Sequence, residues 1–245
     1  MLDSAMFTLS CALCFIALLQ NVFTQDDLTE ISTSNGIVQQ EIVKKHNDPR
    51  RNVSPTASNM LKMGWNTEAA ANAQRWAQTC SMNHSPDSSR RIKTSECGEN
   101  LYMSTDPSTW NEVIQSWYNE VSNYKYGVGS VNGGVIDHYT QVVWYRSNKI
   151  GCAAAYCPKS PYKYFYVCHY CPAGNYVQSL LTPYKAGPPC GDCPNDCEDG
   201  LCTNPCEQFD KAGNCKVLMQ LKNACENPLI SSWCAASCQC GKKIY

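Results

Sequence analysis

Residues 137–147 read Asp137-His138-Tyr139-Thr140-Gln141-Val142-Val143-Trp144-Tyr145-Arg146-Ser147, a histidine set directly before a dense apolar run. Such a histidine sits at one edge of a core, with its ring nitrogens free to meet something polar. On these residues alone it is either a satisfied core group or part of a site. The choice depends on whether the chain supplies companions, and it offers a second histidine and carboxylates in comparable settings.

Upstream, residues 108–121 predict a helix. Thr109 and Glu112 make a capping box, and Trp110, Val113, Ile114, Trp117 and Val121 then repeat at helical spacing. Glu120 lies on or beside that apolar stripe, so it needs a cation, a histidine or a water-filled cleft, or it reaches solvent from the edge. Earlier, Asn66-Thr67-Glu68 opens an alanine-rich helix whose stripe is Ala69, Ala73, Trp76, Ala77 and Cys80. His84 follows where the chain leaves that helix. Val38, Ile42 and His46 predict a first helix ended by Pro49, with His46 structural and bonded to backbone, Asn47 or Arg50. Downstream, 150–156 and 164–170 read as strands. Tyr164, Tyr166 and Cys168 share one strand face; Phe165, Val167 and His169 share the other, His169 in a plain strand-face role. The glycines at 127, 129, 133 and 134 lack phosphate-loop spacing.

The apolar run from Met6 to Leu19 is too short to span a bilayer and reads as a secretory signal over residues 1–24. No other stretch suggests a transmembrane anchor. Of 18 cysteines, Cys11 and Cys14 leave with the signal. The even remainder in an exported chain reads as a disulfide framework, with zinc at Cys190, Cys193, Cys197 and Cys202 as the weaker alternative. The mature chain is close to neutral, which gives no electrostatic case for nucleic acid or anionic membrane. Composition divides the chain into an ordinary domain, 37–184, and a region from Gly187 onward where ten cysteines crowd together among prolines.

Four motifs then carry a resemblance: HNDPR at 46–50, CGENL at 97–101, DHYTQVVW at 137–144 and YVCHYCPAGNY at 166–176, followed by CTNPC onward from Cys202. The mature sequence resembles the cysteine-rich secretory proteins of the CAP superfamily. Pro49 and Asp137 depart from that pattern, which usually has leucine and glycine there.

The resemblance implies an α+β fold: an α-β-α sandwich with an antiparallel sheet at 37–184, a hinge at 187–205, and a small disulfide-rich helical module at 206–240 similar to sea-anemone potassium-channel toxins. It implies a cleft lined by His84, Glu99, Glu120 and His138, with Zn2+ held chiefly by His84 and His138. The pairs it implies are Cys80–Cys157, Cys97–Cys171, Cys152–Cys168, Cys190–Cys197, Cys193–Cys202, Cys206–Cys240, Cys215–Cys234 and Cys225–Cys238. Adjacent strands alone would also allow Cys152–Cys168.

The expected function is a secreted, non-enzymatic modulator of potassium, calcium or cyclic-nucleotide-gated channels, acting on the channel's extracellular face. No HExxH or GxSxG motif is present. The toxins' lysine-tyrosine pair is missing from 226–233, so contact would pass through Phe209, Leu229, Ile230 and Trp233, although Trp233 could equally be the module's small core. The competing reading is a cell-surface, gamete-surface or sterol-carrying protein that works through the large domain.

Overall fold

The structure is a computed structural model that describes residues 29–245. The signal segment, with Cys11 and Cys14, lies outside the described residues. In chain order the large domain contains α1 (Gly36–Arg51), β1 (Gly64–Trp65), α2 (Thr67–Ala77), α3 (Asp87–Arg90), β2 (Gly98–Ser104), α4 (Trp110–Asn119), α5 (Asp137–Val142), β3 (Lys149–Tyr156) and β4 (Tyr164–Cys171).

One four-stranded sheet runs in the order β1-β3-β4-β2. Its three long strands are antiparallel, and β1 adds a parallel edge of two residue pairs, Gly64 with Lys149 and Trp65 with Ile150. β1 stops there because Asn66 turns the chain into α2 by accepting the Ala69 N–H on its side chain.

Both faces of β4 are buried, and each faces a different layer. Tyr164, Tyr166, Cys168 and Tyr170 pack with Ile42 of α1, Trp110, Val113, Ile114 and Trp117 of α4, and Tyr139 and Val142 of α5. Phe165 and Val167 pack with Ala73 and Ala77 of α2 and with Leu101, Ala153 and Ala155. This is the α-β-α sandwich. The alanines let α2 lie directly on the sheet, so close that a Cβ at Gly151 would stand 2.1 Å from the Ala70 backbone nitrogen. Only glycine fits at that crossing.

One local expectation fails. Pro49 does not end α1, which continues to Arg51. Proline in a final turn removes one backbone donor, a modest loss, and the helix is carried past it by Arg50. That buried guanidinium donates to the carbonyls of Leu61, Val142, Trp144 and Tyr145 at 2.6–3.1 Å. Asn47 is likewise committed to the Met63 backbone, so neither residue serves His46.

The segment after Pro189 is pinned to the large domain. Cys202 exchanges backbone hydrogen bonds with Met60 and Lys62 at 2.8 Å, and Leu61 packs among Cys190, Cys193, Cys202 and Ile244. Lys62 pairs with Glu198, and Arg51 with Asp199 at 2.7 Å.

Eight disulfides join Cys80 to Cys157, Cys97 to Cys171, Cys152 to Cys168, Cys190 to Cys197, Cys193 to Cys202, Cys206 to Cys240, Cys215 to Cys234 and Cys225 to Cys238. The sulfurs of Cys190, Cys193 and Cys202 lie within 4.8 Å of one another, but all three are bonded in disulfides, and a zinc site there would require free thiolates. No helix among the described residues is long and apolar enough to cross a membrane.

Candidate functional site

The site is assembled around β2. The strand carries Glu99, whose side chain is only 1 % exposed, and every hydrogen-bonding direction of its carboxylate is occupied. Oε1 accepts from His84 Nδ1 at 2.7 Å and from the Ser85 N–H at 2.9 Å. Oε2 accepts from the Ser85 hydroxyl at 2.7 Å and from His169 Nε2 at 3.0 Å. Burial alone would raise the Glu99 pKa. The hydrogen bonds from His169, His84 and Ser85 outweigh it and hold the group well below the ordinary carboxylate range.

An ionised carboxylate only accepts, so His84 donates through Nδ1. In the neutral ring its Nε2 lone pair is then free. The ring itself is 62 % exposed.

His138 is held in a parallel way. Its Nδ1 meets Glu120 Oε1 at 2.6 Å, while Glu120 Oε2 accepts the backbone N–H groups of His138 and Tyr139 at 3.0 and 3.1 Å. Glu120 is the residue at which α4 gives way to a short 3-10 turn, so the end of the apolar stripe delivers a carboxylate to the first turn of α5. The imidazole stacks on Trp117 with ring centroids 6.4 Å apart.

Asn100, next to Glu99, ties the two halves together. Its Nδ2 donates to the His138 carbonyl at 3.1 Å and to the Tyr170 hydroxyl at 3.2 Å. Behind it stands His46, whose Nδ1 donates to the Ile42 carbonyl and whose Nε2 accepts from Tyr170. Burial lowers the His46 pKa to about 4, so this histidine is a neutral support under the site.

The arrangement therefore contains two outward imidazoles, each fixed by a carboxylate on Nδ1 and each presenting Nε2. An imidazole oriented by a carboxylate is a ligand that zinc accepts, but among the described residues His84, Glu99, Glu120 and His138 do not form a group of three or more donors within 4.8 Å of one another. The contact with Glu99 makes His169 part of this assembly rather than the plain strand-face residue the sequence suggests. Its other nitrogen, Nδ1, is buried without a hydrogen-bond partner.

The expected contact residues of the module are on the outside. Leu229 is 68 % exposed, Trp233 51 % and Phe209 46 %, while Ile230 is half-buried. Trp233 is thus not the module's core, which consists of Cys215, Ala224, Cys234, Ala236 and Cys240.

Comparison with known proteins finds a family model described as "Cysteine-rich secretory protein family" matching residues 43–170, and a second, described as "Crisp", matching 190–245. Among solved structures, "NaASP2 with Zn2+" is 27 % identical with a TM-score of 0.55, over 69 % of this chain and 96 % of that one. Na-ASP-1 is 31 % identical with a TM-score of 0.57, over 67 % of this chain and 46 % of that one. Venom allergen-like protein 4 of Schistosoma mansoni is 27 % identical with a TM-score of 0.51, over 61 % and 95 %.

Proposed function

Because this chain belongs to the cysteine-rich secretory protein family, we propose that it is a secreted, non-enzymatic protein that modulates an ion channel from outside the cell through residues 206–240, and that it holds a divalent metal at His84 and His138. The observation that carries the channel reading is the set of large apolar side chains that the module leaves in water, Leu229 and Trp233 foremost, with Val217 and Leu221 also exposed. A side chain as large as Trp233, held outward by a cross-linked scaffold, suits an interface anchor, since the ordering cost is met before binding.

The metal reading rests on the two free Nε2 positions and is supported by the similar protein crystallised with Zn2+. The serine and threonine hydroxyls nearest these histidines in sequence, Ser85 and Thr140, are both engaged elsewhere. Ser85 donates its hydroxyl to Glu99, and Thr140 donates to the Asp137 carbonyl or to Asn175. This favours binding over hydrolysis.

Patch-clamp recording on potassium, calcium and cyclic-nucleotide-gated currents tests the channel reading. The whole protein should reduce one of these currents, and a Leu229→Ala/Trp233→Ala variant should lose most of the effect. A variant that keeps full potency, or no responding current, rejects it. Calorimetry with zinc tests the metal site: His138→Ala should bind at least about tenfold more weakly, and acid should weaken binding to the parent protein, because only neutral imidazole ligates.

A further inference from the structure

A groove of about 720 Å³ lies where residues 91–96, 146–149 and 172–176 of the large domain face residues 206–211 of the module. That is the size of a site that encloses a small ligand or a short peptide stretch. Its three carboxylates are all engaged: Glu96 by Arg91, Glu207 by Lys149 at 2.7 Å, and Asp210 by the N–H and hydroxyl of Ser237. Lys93, Arg146 and Lys211 line the same groove, and among the described residues none of their side chains forms an ion pair, although the Lys93 backbone N–H donates to the Glu68 carboxylate at 3.2 Å.

Two hydrogen-bond donors of the wall, Arg146 Nε and the Ser95 hydroxyl, are buried without an acceptor. Uncompensated donors beside unpaired cations make the groove locally electropositive in a chain whose overall charge is only −1. Tyr176 and Phe209 supply exposed aromatic surface at its sides.

We propose that this groove is a docking site for an acidic peptide segment of a protein partner. Its carboxylates would meet Lys93, Arg146 and Lys211, and an apolar or aromatic side chain would lie against Tyr176 and Phe209. A peptide fits better than a sulfated glycan, because Tyr176 and Phe209 offer exposed aromatic surface to an apolar or aromatic side chain, which a glycan lacks. The site exists only in the intact chain: Arg146 Nη2 donates to the Gln208 carbonyl at 3.1 Å, and Lys149 reaches Glu207, so both cross from the large domain to the module. The Lys211 N–H also donates to the Trp233 carbonyl at 2.7 Å, which places one end of the groove beside the module's apolar surface. The inference does not require the partner to be a channel.

Calorimetry on the full-length protein at low salt tests it, using an end-blocked peptide that alternates glutamate with glycine and carries one tyrosine, beside the same peptide with glutamine. The glutamate peptide should bind at least about tenfold more tightly than the glutamine one, and added salt should weaken it. Lys93→Glu/Lys211→Glu removes two cations that hold no ion pair; its melting curve should match the parent, and its affinity should fall by at least about tenfold. Leu229→Ala/Trp233→Ala should leave peptide binding unchanged, which separates this site from the Leu229 and Trp233 contact, Phe209 being common to both surfaces. Equal affinity for the two peptides, no binding at millimolar concentration, or an unchanged lysine variant overturns the proposal. So does a heparin hexasaccharide that binds more tightly than the peptide through the same lysines.

Discussion

Between residues 36 and 171 the large domain buries Trp110, Tyr139, Tyr166, Phe165 and Ile150 between two helical layers. From 206 to 240 the module buries little besides half-cystines and alanines, and Leu221, Leu229 and Trp233 face water. A chain of under 40 residues cannot form an apolar core that offsets its conformational entropy, so cross-links supply what burial does not. The consequence is a division of labour. The domain with a core can spare its interior for the precise placement of His84, Glu99, Glu120 and His138, and the domain without one has its apolar side chains available for a partner.

The largest expected effect is on the core side of this contrast. Trp110 is buried and donates its indole N–H to the Ile31 carbonyl at 2.9 Å. Trp110→Ala should destabilise the large domain by about 4 kcal/mol through the cavity and the orphaned carbonyl, read by denaturant unfolding. Reducing agent, by contrast, should act first on the module. Replacing Cys215 and Cys234 by alanine removes a link across 19 residues, at a cost of about 3 kcal/mol in the chain-entropy account. Hydrogen exchange should show protection lost in 206–240 and kept along 164–171; loss in both regions together would show that they fold as one unit.

Acid should separate the regions in the opposite sense. His46 has a folded pKa of about 4, below its ordinary value of 6.5, so the unfolded state binds the proton first. Its contribution is whole above pH 6.5 and is lost as the pH falls toward 4, an effect of about 3 kcal/mol. Glu99, held below the ordinary carboxylate range, adds a further loss as the pH drops under that range. Both groups are in the large domain, so its unfolding midpoint should fall between pH 6.5 and 4 while exchange in the module stays level. His46→Gln should flatten that portion of the profile.

Which parts of this were legible in the sequence follows from how local each signal is. The capping box at Thr109 and Glu112 is present, and the two faces of 164–170 divide as alternation requires, because both patterns are written within one element. Pro49 misled because the force that carries α1 past it comes from Arg50 bonding to carbonyls more than 90 residues away. The parallel edge at Gly64 and Trp65 has no periodicity to announce it in two residues.

His169 is the instructive case. Nothing near it points to Glu99, yet the two are directly opposite in the β2–β4 register. Taking the Cys97–Cys171 pair as a fixed point, two steps inward along antiparallel strands reach Glu99 and His169. Register argued from a disulfide would have found the contact that local patterning could not.

The smallest expected effect uses the same residue type in both regions. Trp233 closes a short helix, Pro228–Trp233, whose N-cap Asn227 accepts from the N–H groups of Leu229 and Ile230. Its backbone carbonyl accepts from Lys211, and alanine would keep that bond. Its side chain is half in water, so Trp233→Ala should change stability by less than about 0.5 kcal/mol. Set against Trp110→Ala, this compares an indole that holds a fold together with one available for contact. A melting curve displaced as far as that of Trp110→Ala would show that Trp233 is a core residue after all. An unchanged curve together with a lost effect on current would place its role at the interface.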